Sequence, residues 1–179
     1  MVTPLVLFCS LVILFISTHA RASIAIPAAD IPVKDSFLVQ TNTLSEHFPP
    51  SIQKWRPLIE EAAFNFDLDS NLIAAVMLQE SGGNESAYSP SGAVGLMQVM
   101  PRDGIATSFI CEDRPCFANR PTIEELETPD FNIQYGSQLL IGLIDHFNSY
   151  REALKAYGPM DVGYDYADIV LNIYDQHKN

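Results

Sequence analysis

The stretch Asp69–Gly83, "DSNLIAAVMLQESGG", constrains the fold more than any other. Asp69 or Ser70 supplies an N-cap and Gly82-Gly83 a stop, so the sequence predicts a helix ending at Ser81. Almost every residue between is apolar. Ile73, Met77 and Glu80 recur three and four apart, and so do Val76 and Glu80. That register puts a carboxylate at the end of a buried stripe, where a leucine would pack better.

Most glutamates sit in water, and a helix-end carboxylate turned outward is the ordinary outcome. Three local features argue for another use of Glu80. It continues an apolar face, it stands at the negative end of the helix macrodipole, and two glycines beside it leave room for a ligand. Burial and dipole both oppose ionisation and keep the acid protonated near neutrality. A protonated carboxylic acid is what cleavage of a glycosidic bond needs, because the leaving oxygen must receive a proton.

Around this helix the pattern stays helical. Trp55–Asp67 carries Leu58, Ile59, Ala62, Ala63 and Phe66 on one side, with Pro57 tolerated in the first turn. "GAVGLMQVMP", Gly92 to Pro101, reads as a short apolar helix closed by the proline. "RPTIEELETP" offers another, capped by Thr122 with Glu125 at the capping-box position. The longest helix starts at Asp130 and groups Gly136, Leu140, Leu143 and Phe147 with Leu139 and Ile144. Tyr150–Tyr157 and Tyr164–Gln176 complete the set. Strand-like alternation is rare, so the expected fold is mainly α, a single helical domain over residues 51–179.

Residues 1–50 read differently. Leu5–Ile16 is an apolar run too short to span a bilayer comfortably, and Ala20-Arg21-Ala22 fits a secretory cleavage site. Export with cleavage after Ala22 is the expectation, and a retained N-terminal anchor in the inner membrane is the alternative. Cys9 lies inside the apolar run without small residues before it, which disfavours a lipoprotein. Residues 23–50, rich in Ala, Pro, Ser and Thr, read as a poorly ordered arm.

The formal net charge of −12 makes the chain a poor candidate for gripping nucleic acid or anionic lipid through its overall field. Beyond Cys9 two cysteines remain, Cys111 and Cys116. A close pair in an oxidising compartment points to a disulfide stapling one loop. The scattered His47, His146 and His177 give no zinc-like spacing, so no metal site and no cofactor is expected.

The segment after the helix carries the family signal. "ES" at Glu80-Ser81 is followed by "SPSGAVGLMQVMP", Ser89 to Pro101. Together they resemble the lytic transglycosylase domain of the soluble, goose-lysozyme-like type. Its hallmark is a Glu-Ser pair, a serine nine residues after the glutamate, then G-A-x-G-L-M-Q and a proline. "PDFNIQYGSQLL" resembles the family's Asn-x-x-x-Gly helix at Asn132 and Gly136, "EALKAYG" its A-Y-N segment, and "YADIVLNIY" its closing helix. The resemblance runs from about Trp55 to Tyr174. Four ordered blocks carry far more weight than a lone dipeptide. Gly158 stands where the family has asparagine, and Gly82-Gly83-Asn84 replaces a more usual aromatic stretch.

The resemblance implies a lysozyme-like helical fold and peptidoglycan strands as substrate. One glutamate, here Glu80, acts first as acid and then as base, leaving 1,6-anhydromuramyl ends. It further implies that Ser89, the Gly95 backbone, Gln98, Met100 and Tyr157 face the glycan. Ser81, Asn132 and Gly136 are expected to be structural. Two other readings compete. A goose-type hydrolase would use water and a second acid such as Glu85, and a non-catalytic glycan-binding module would have no reason to bury Glu80. The lack of any second wall-binding domain fits a monomer that opens local gaps for envelope-spanning secretion or conjugation machinery.

Overall fold

The computed structural model describes residues 42–159 and 161–178. The apolar run, the cleavage site and most of the expected arm lie outside the described residues. The helix expected at 69–81 forms as α3 (Ser70–Ser81). The Asp69 carboxylate accepts from Asn71 N at 2.8 Å, and Gly82 closes the helix at φ 63°. Every residue from Leu72 to Met77 is buried. The expected stripe is therefore a correction: from Leu72 to Met77 the helix is apolar all round and enclosed on all sides.

Four other helices and α3 close a circuit. α2 (Arg56–Phe66) packs on α3 and on α5 (Pro129–Phe147). Beyond α5 comes α6 (Tyr150–Tyr157), then α7 (Asp165–His177), which returns to α3. Two short helices, α1 (Pro50–Gln53) and α4 (Ile123–Leu126), complete the α-helical set among the described residues, and Gly104–Ser108 forms a 3-10 turn. At α4 the capping box is complete, with Thr122 N donating to Glu125 Oε2 at 2.8 Å and Glu125 N donating to Thr122 Oγ1 at 3.2 Å. The fold is mainly α, as the periodicity predicts, and the remaining helix ends fall close to their expected positions.

Two local expectations fail. Part of the segment read as an arm is structured: Leu44 and Phe48 are buried in the core, and Leu44 N and Ser45 N donate to Glu60 and Asn71. Phe48 also stacks on His177, with ring centroids 4.7 Å apart, tying this segment to the end of α7. Two large apolar side chains in a polar context are enough to anchor a segment with little periodicity.

The second correction concerns residues 92–101, which form no helix. Gly92 at φ 91° and Gly95 at φ 77° break the helical path, and Gln98 takes φ 45°. The chain instead makes tight turns. Val94 and Val99 exchange both backbone hydrogen bonds, and Gly95 N donates to Ala87 O at 2.8 Å. The apolar residues still face inward, with Ala93, Val94, Leu96, Met97 and Val99 buried.

Candidate active site

A loop this apolar and this irregular must have its backbone groups satisfied by something other than a helix. Asn132, fully buried on α5, supplies part of this. Its Oδ1 accepts from Met97 N at 2.8 Å, and its Nδ2 donates to Val94 O and Leu126 O, each at 2.9 Å. A Cβ on Gly95 would stand 2.4 Å from that Nδ2, so the turn needs glycine for space as well as for φ. Ser81 secures the other side. Its hydroxyl reaches Leu96 O at 2.8 Å and accepts from Gly83 N at 3.1 Å. Tyr157, from the end of α6, donates to Met97 O at 3.0 Å. Three helices thus hold one loop at fixed height beside the end of α3.

Glu80 is half-buried at that end. The Tyr166 hydroxyl, on α7, donates to Glu80 Oε1 at 2.5 Å. Burial raises the Glu80 pKa from the ordinary 4.5 to about 7, against the opposing pull of the Tyr166 hydrogen bond. Burial and then the field of Glu80 push the phenols of Tyr157 and Tyr166 well above their ordinary range. The three groups therefore form one electrostatic unit, and both tyrosines remain neutral donors. Such a carboxyl carries its proton at neutral pH and can also lose it, the property asked of a general acid that must later act as base.

No local pattern in the sequence marks Tyr166. It opens the "YADIVLNIY" block, but only the fold brings it to a partner 86 residues away. Gly158 acquires a reason here. A Cβ at that position would lie 2.4 Å from the Tyr166 ring, so the glycine in place of asparagine makes room for the tyrosine that bonds Glu80.

The other expected residues are placed as follows. Ser89 Oγ accepts from Ala93 N at 2.9 Å and closes a turn. Gln98 donates its amide to Ala87 O at 3.2 Å and Gly95 O at 2.9 Å, leaving its side-chain oxygen without a donor among the described residues. Met100 is half-exposed at the loop's end. Gly136 sits where Met97 crosses α5. A cavity of about 360 Å³ opens on the same loop, lined by Glu85, Ser86, Ala87, Tyr88, Val94 and Glu127. Glu85 is exposed there, and Glu80 is not part of the lining.

Between the loop and α4, residues 104–120 form a separate excursion. Its base is clasped by Arg102 N on Pro121 O and Ile123 N on Asp103 Oδ1, both 2.9 Å. Within it β1 (Ile110–Cys111) pairs with β2 (Arg114–Pro115), and the Cys111 and Cys116 sulfurs are joined.

The chain is similar to known proteins in sequence and in fold. Over 87 residues the chain is 37% identical to an endo-type membrane-bound lytic murein transglycosylase A of Klebsiella pneumoniae, covering 49% of this chain and 41% of that protein. It is 29% identical over 140 residues to a membrane-bound lytic murein transglycosylase C of Glaesserella parasuis, covering 75% of this chain and 37% of the relative. These alignments span well under half the length of the curated relatives. Among solved structures it resembles that of lytic transglycosylase Slt from Pseudomonas aeruginosa, an inactive mutant with glutamine for a glutamate. The TM-score is 0.54 at 26% identity, over 72% of this chain and 24% of that one. The transglycosylase SLT domain matches residues 57–162, more than half of the sequence, and the chain belongs to that family.

Proposed function

We propose that this chain is a peptidoglycan lytic transglycosylase, with Glu80 as its single acid and base. The observation that carries the reading is a carboxyl with a pKa raised to about 7, hydrogen-bonded by Tyr166, at the edge of the loop that defines the family. Tyr166 occupies Oε1, which leaves Oε2 to carry the proton.

The chemistry then needs one carboxyl. Glu80 gives its proton to the oxygen linking N-acetylmuramic acid to N-acetylglucosamine, and the bond from that oxygen to the muramyl anomeric carbon breaks. The muramyl 6-hydroxyl attacks the same carbon, forms the new carbon–oxygen bond and returns its proton to the Glu80 carboxylate. The acid is regenerated and no water enters. An intramolecular nucleophile is already positioned, so the site has only to bind and orient the sugar. Ser89, the Gly95 backbone, Gln98, Met100 and Tyr157 are proposed to do this. The free side-chain oxygen of Gln98 is suited to accept from an acetamido N–H or a sugar hydroxyl.

Mass spectrometry of soluble products from purified peptidoglycan tests the reading. Anhydromuramyl ends, lighter by one water than reducing ends, are the expected result. Reducing ends alone would make the enzyme a hydrolase.

Export through the N-terminal 22 residues, action in the periplasm and a Cys111–Cys116 disulfide in the mature protein belong to the same proposal. The names of the relatives cited above include "membrane-bound", and among the described residues no helix is long and apolar enough to cross a membrane. N-terminal sequencing of the periplasmic protein should begin at Ser23. An intact N-terminus in the membrane fraction would support the anchor instead.

A further inference from the structure

Arg120 closes the disulfide-bearing excursion and is half-buried. Its guanidinium carbon lies 5.9 Å from the centre of the Phe117 ring and 6.0 Å from that of Tyr135. Phe109 packs edge-on to Phe117, and Phe131 stacks on Tyr135, so the cation stands within a continuous aromatic belt. Among the described residues, no carboxylate forms an ion pair with it, and its side chain donates no hydrogen bond. The chain has 22 acidic residues, and the other half-buried arginine, Arg56, is paired with Glu46 and Glu60. Arg102 and Arg114, which also lack ion pairs, are exposed and solvated. A partly desolvated guanidinium with five donors and no acceptor is an incomplete site.

Its position connects it to Glu80. Tyr135 is followed on α5 by Gly136, where a Cβ would lie 3.2 Å from the Tyr157 hydroxyl. The positive field of Arg120 also acts on the Tyr157 phenol, opposing that of Glu80. The cation is thus near enough to act on the phenol that holds the loop beside Glu80.

We propose that Arg120 is a specificity-determining residue that binds a carboxylate carried by the muramyl unit of the substrate. The proposal rests on the transglycosylase reading above. The planar fork of arginine matches a carboxylate with two parallel hydrogen bonds, and flanking rings hold it ready for that partner. A muramyl unit offers carboxylates from two sources, the peptide stem and, where the stem has been removed, the lactyl group itself.

Two readouts test this. In the Glu80→Gln background, co-sedimentation with insoluble peptidoglycan measures affinity without turnover. In the protein that keeps Glu80, release of anhydromuramyl ends measures KM and kcat separately. Arg120→Gln should raise both Kd and KM about 10-fold while kcat stays near its starting value. Arg120→Lys, which keeps the charge and the alkyl stem, should recover part of the loss and serves as the folding control. On peptidoglycan whose carboxylates have been amidated, the penalty should disappear, because both proteins then lack the contact. A penalty kept on amidase-stripped strands assigns the lactyl carboxylate, and one lost there assigns the stem. Unchanged Kd and KM, or a penalty persisting in full on amidated strands, would overturn the proposal and leave Arg120 a prop for the excursion. Wild-type protein that binds but releases no anhydro ends would remove the transglycosylase reading alone.

Discussion

The loop at 89–101 and the excursion at 104–120 are neighbours in sequence, yet they are held by opposite means. The loop is buried from Gly92 to Met97, and the side chains of Asn132, Ser81 and Tyr157 anchor its backbone from three helices. The excursion exposes Ile105, Phe109 and Ile110, pairs two residues per strand, and relies on a disulfide and aromatic edges. The difference matches the demands of the proposed reaction. A proton must be delivered to one atom, which calls for a rigid frame around Glu80, whereas a long polymer needs a surface that meets it.

The comparison breaks outright if Glu80 is dispensable. Glu80→Gln keeps the shape and removes the transferable proton, so release of anhydro ends should fall by a factor on the order of 100 to 10,000. Stability should move the other way. The folded carboxyl holds its proton up to about pH 7 and the unfolded one only to about 4.5, so ionisation costs folding free energy as pH rises between them. Removing the group should stabilise the fold by about 3 kcal/mol at pH 8 and change little near pH 4. Urea denaturation at the two pH values reads this directly. A loss of stability at pH 8 would mean that Glu80 is not strained by burial.

The rigid half depends most on Asn132. Asn132→Ala leaves Met97 N without its acceptor in a buried place and takes a donor from Val94 O and from Leu126 O. The expected cost is about 3 kcal/mol in denaturant unfolding, with a fall in activity because the loop loses its register. The excursion should respond more mildly. Replacing Cys111 and Cys116 together by serine opens a short ring and should cost about 2 kcal/mol or less, with kcat retained. If the two costs were reversed, the excursion and not the loop would be the structural keystone.

What the sequence revealed follows the same divide between local and distant. Helix ends are local, and the caps at Asp69 and at Thr122 with Glu125 were readable from neighbouring residues. The mainly helical fold follows from apolar spacing within each segment. The loop reads as a helix in sequence because its apolar content overshadows two glycines whose φ values no helix accepts. Leu44 and Phe48 were hidden in a stretch without periodicity, and their burial depends on helices far along the chain. Tyr166 escaped because its meaning lies in contacts with Glu80 and Gly158, neither of which is near it in sequence.

That tyrosine gives the smallest and sharpest effect. Its hydroxyl donates to the Glu80 carboxylate and favours the charged form, which lowers a pKa that burial has raised. Tyr166→Phe removes the donor and keeps the ring against Gly158, so the Glu80 pKa should rise further. The proton then persists to higher pH, and the alkaline limb of kcat/KM, expected near pH 7 in the parent enzyme, should move upward. Stability should fall more at pH 8 than at pH 5, because only the ionised carboxyl loses a favourable partner. A purely packing role for Tyr166 would lower stability equally at both pH values and leave the limb where it was. A downward shift would require the hydroxyl to favour the protonated acid, contrary to a phenol that donates. The direction of the limb therefore decides whether α7 tunes the acid or only covers it.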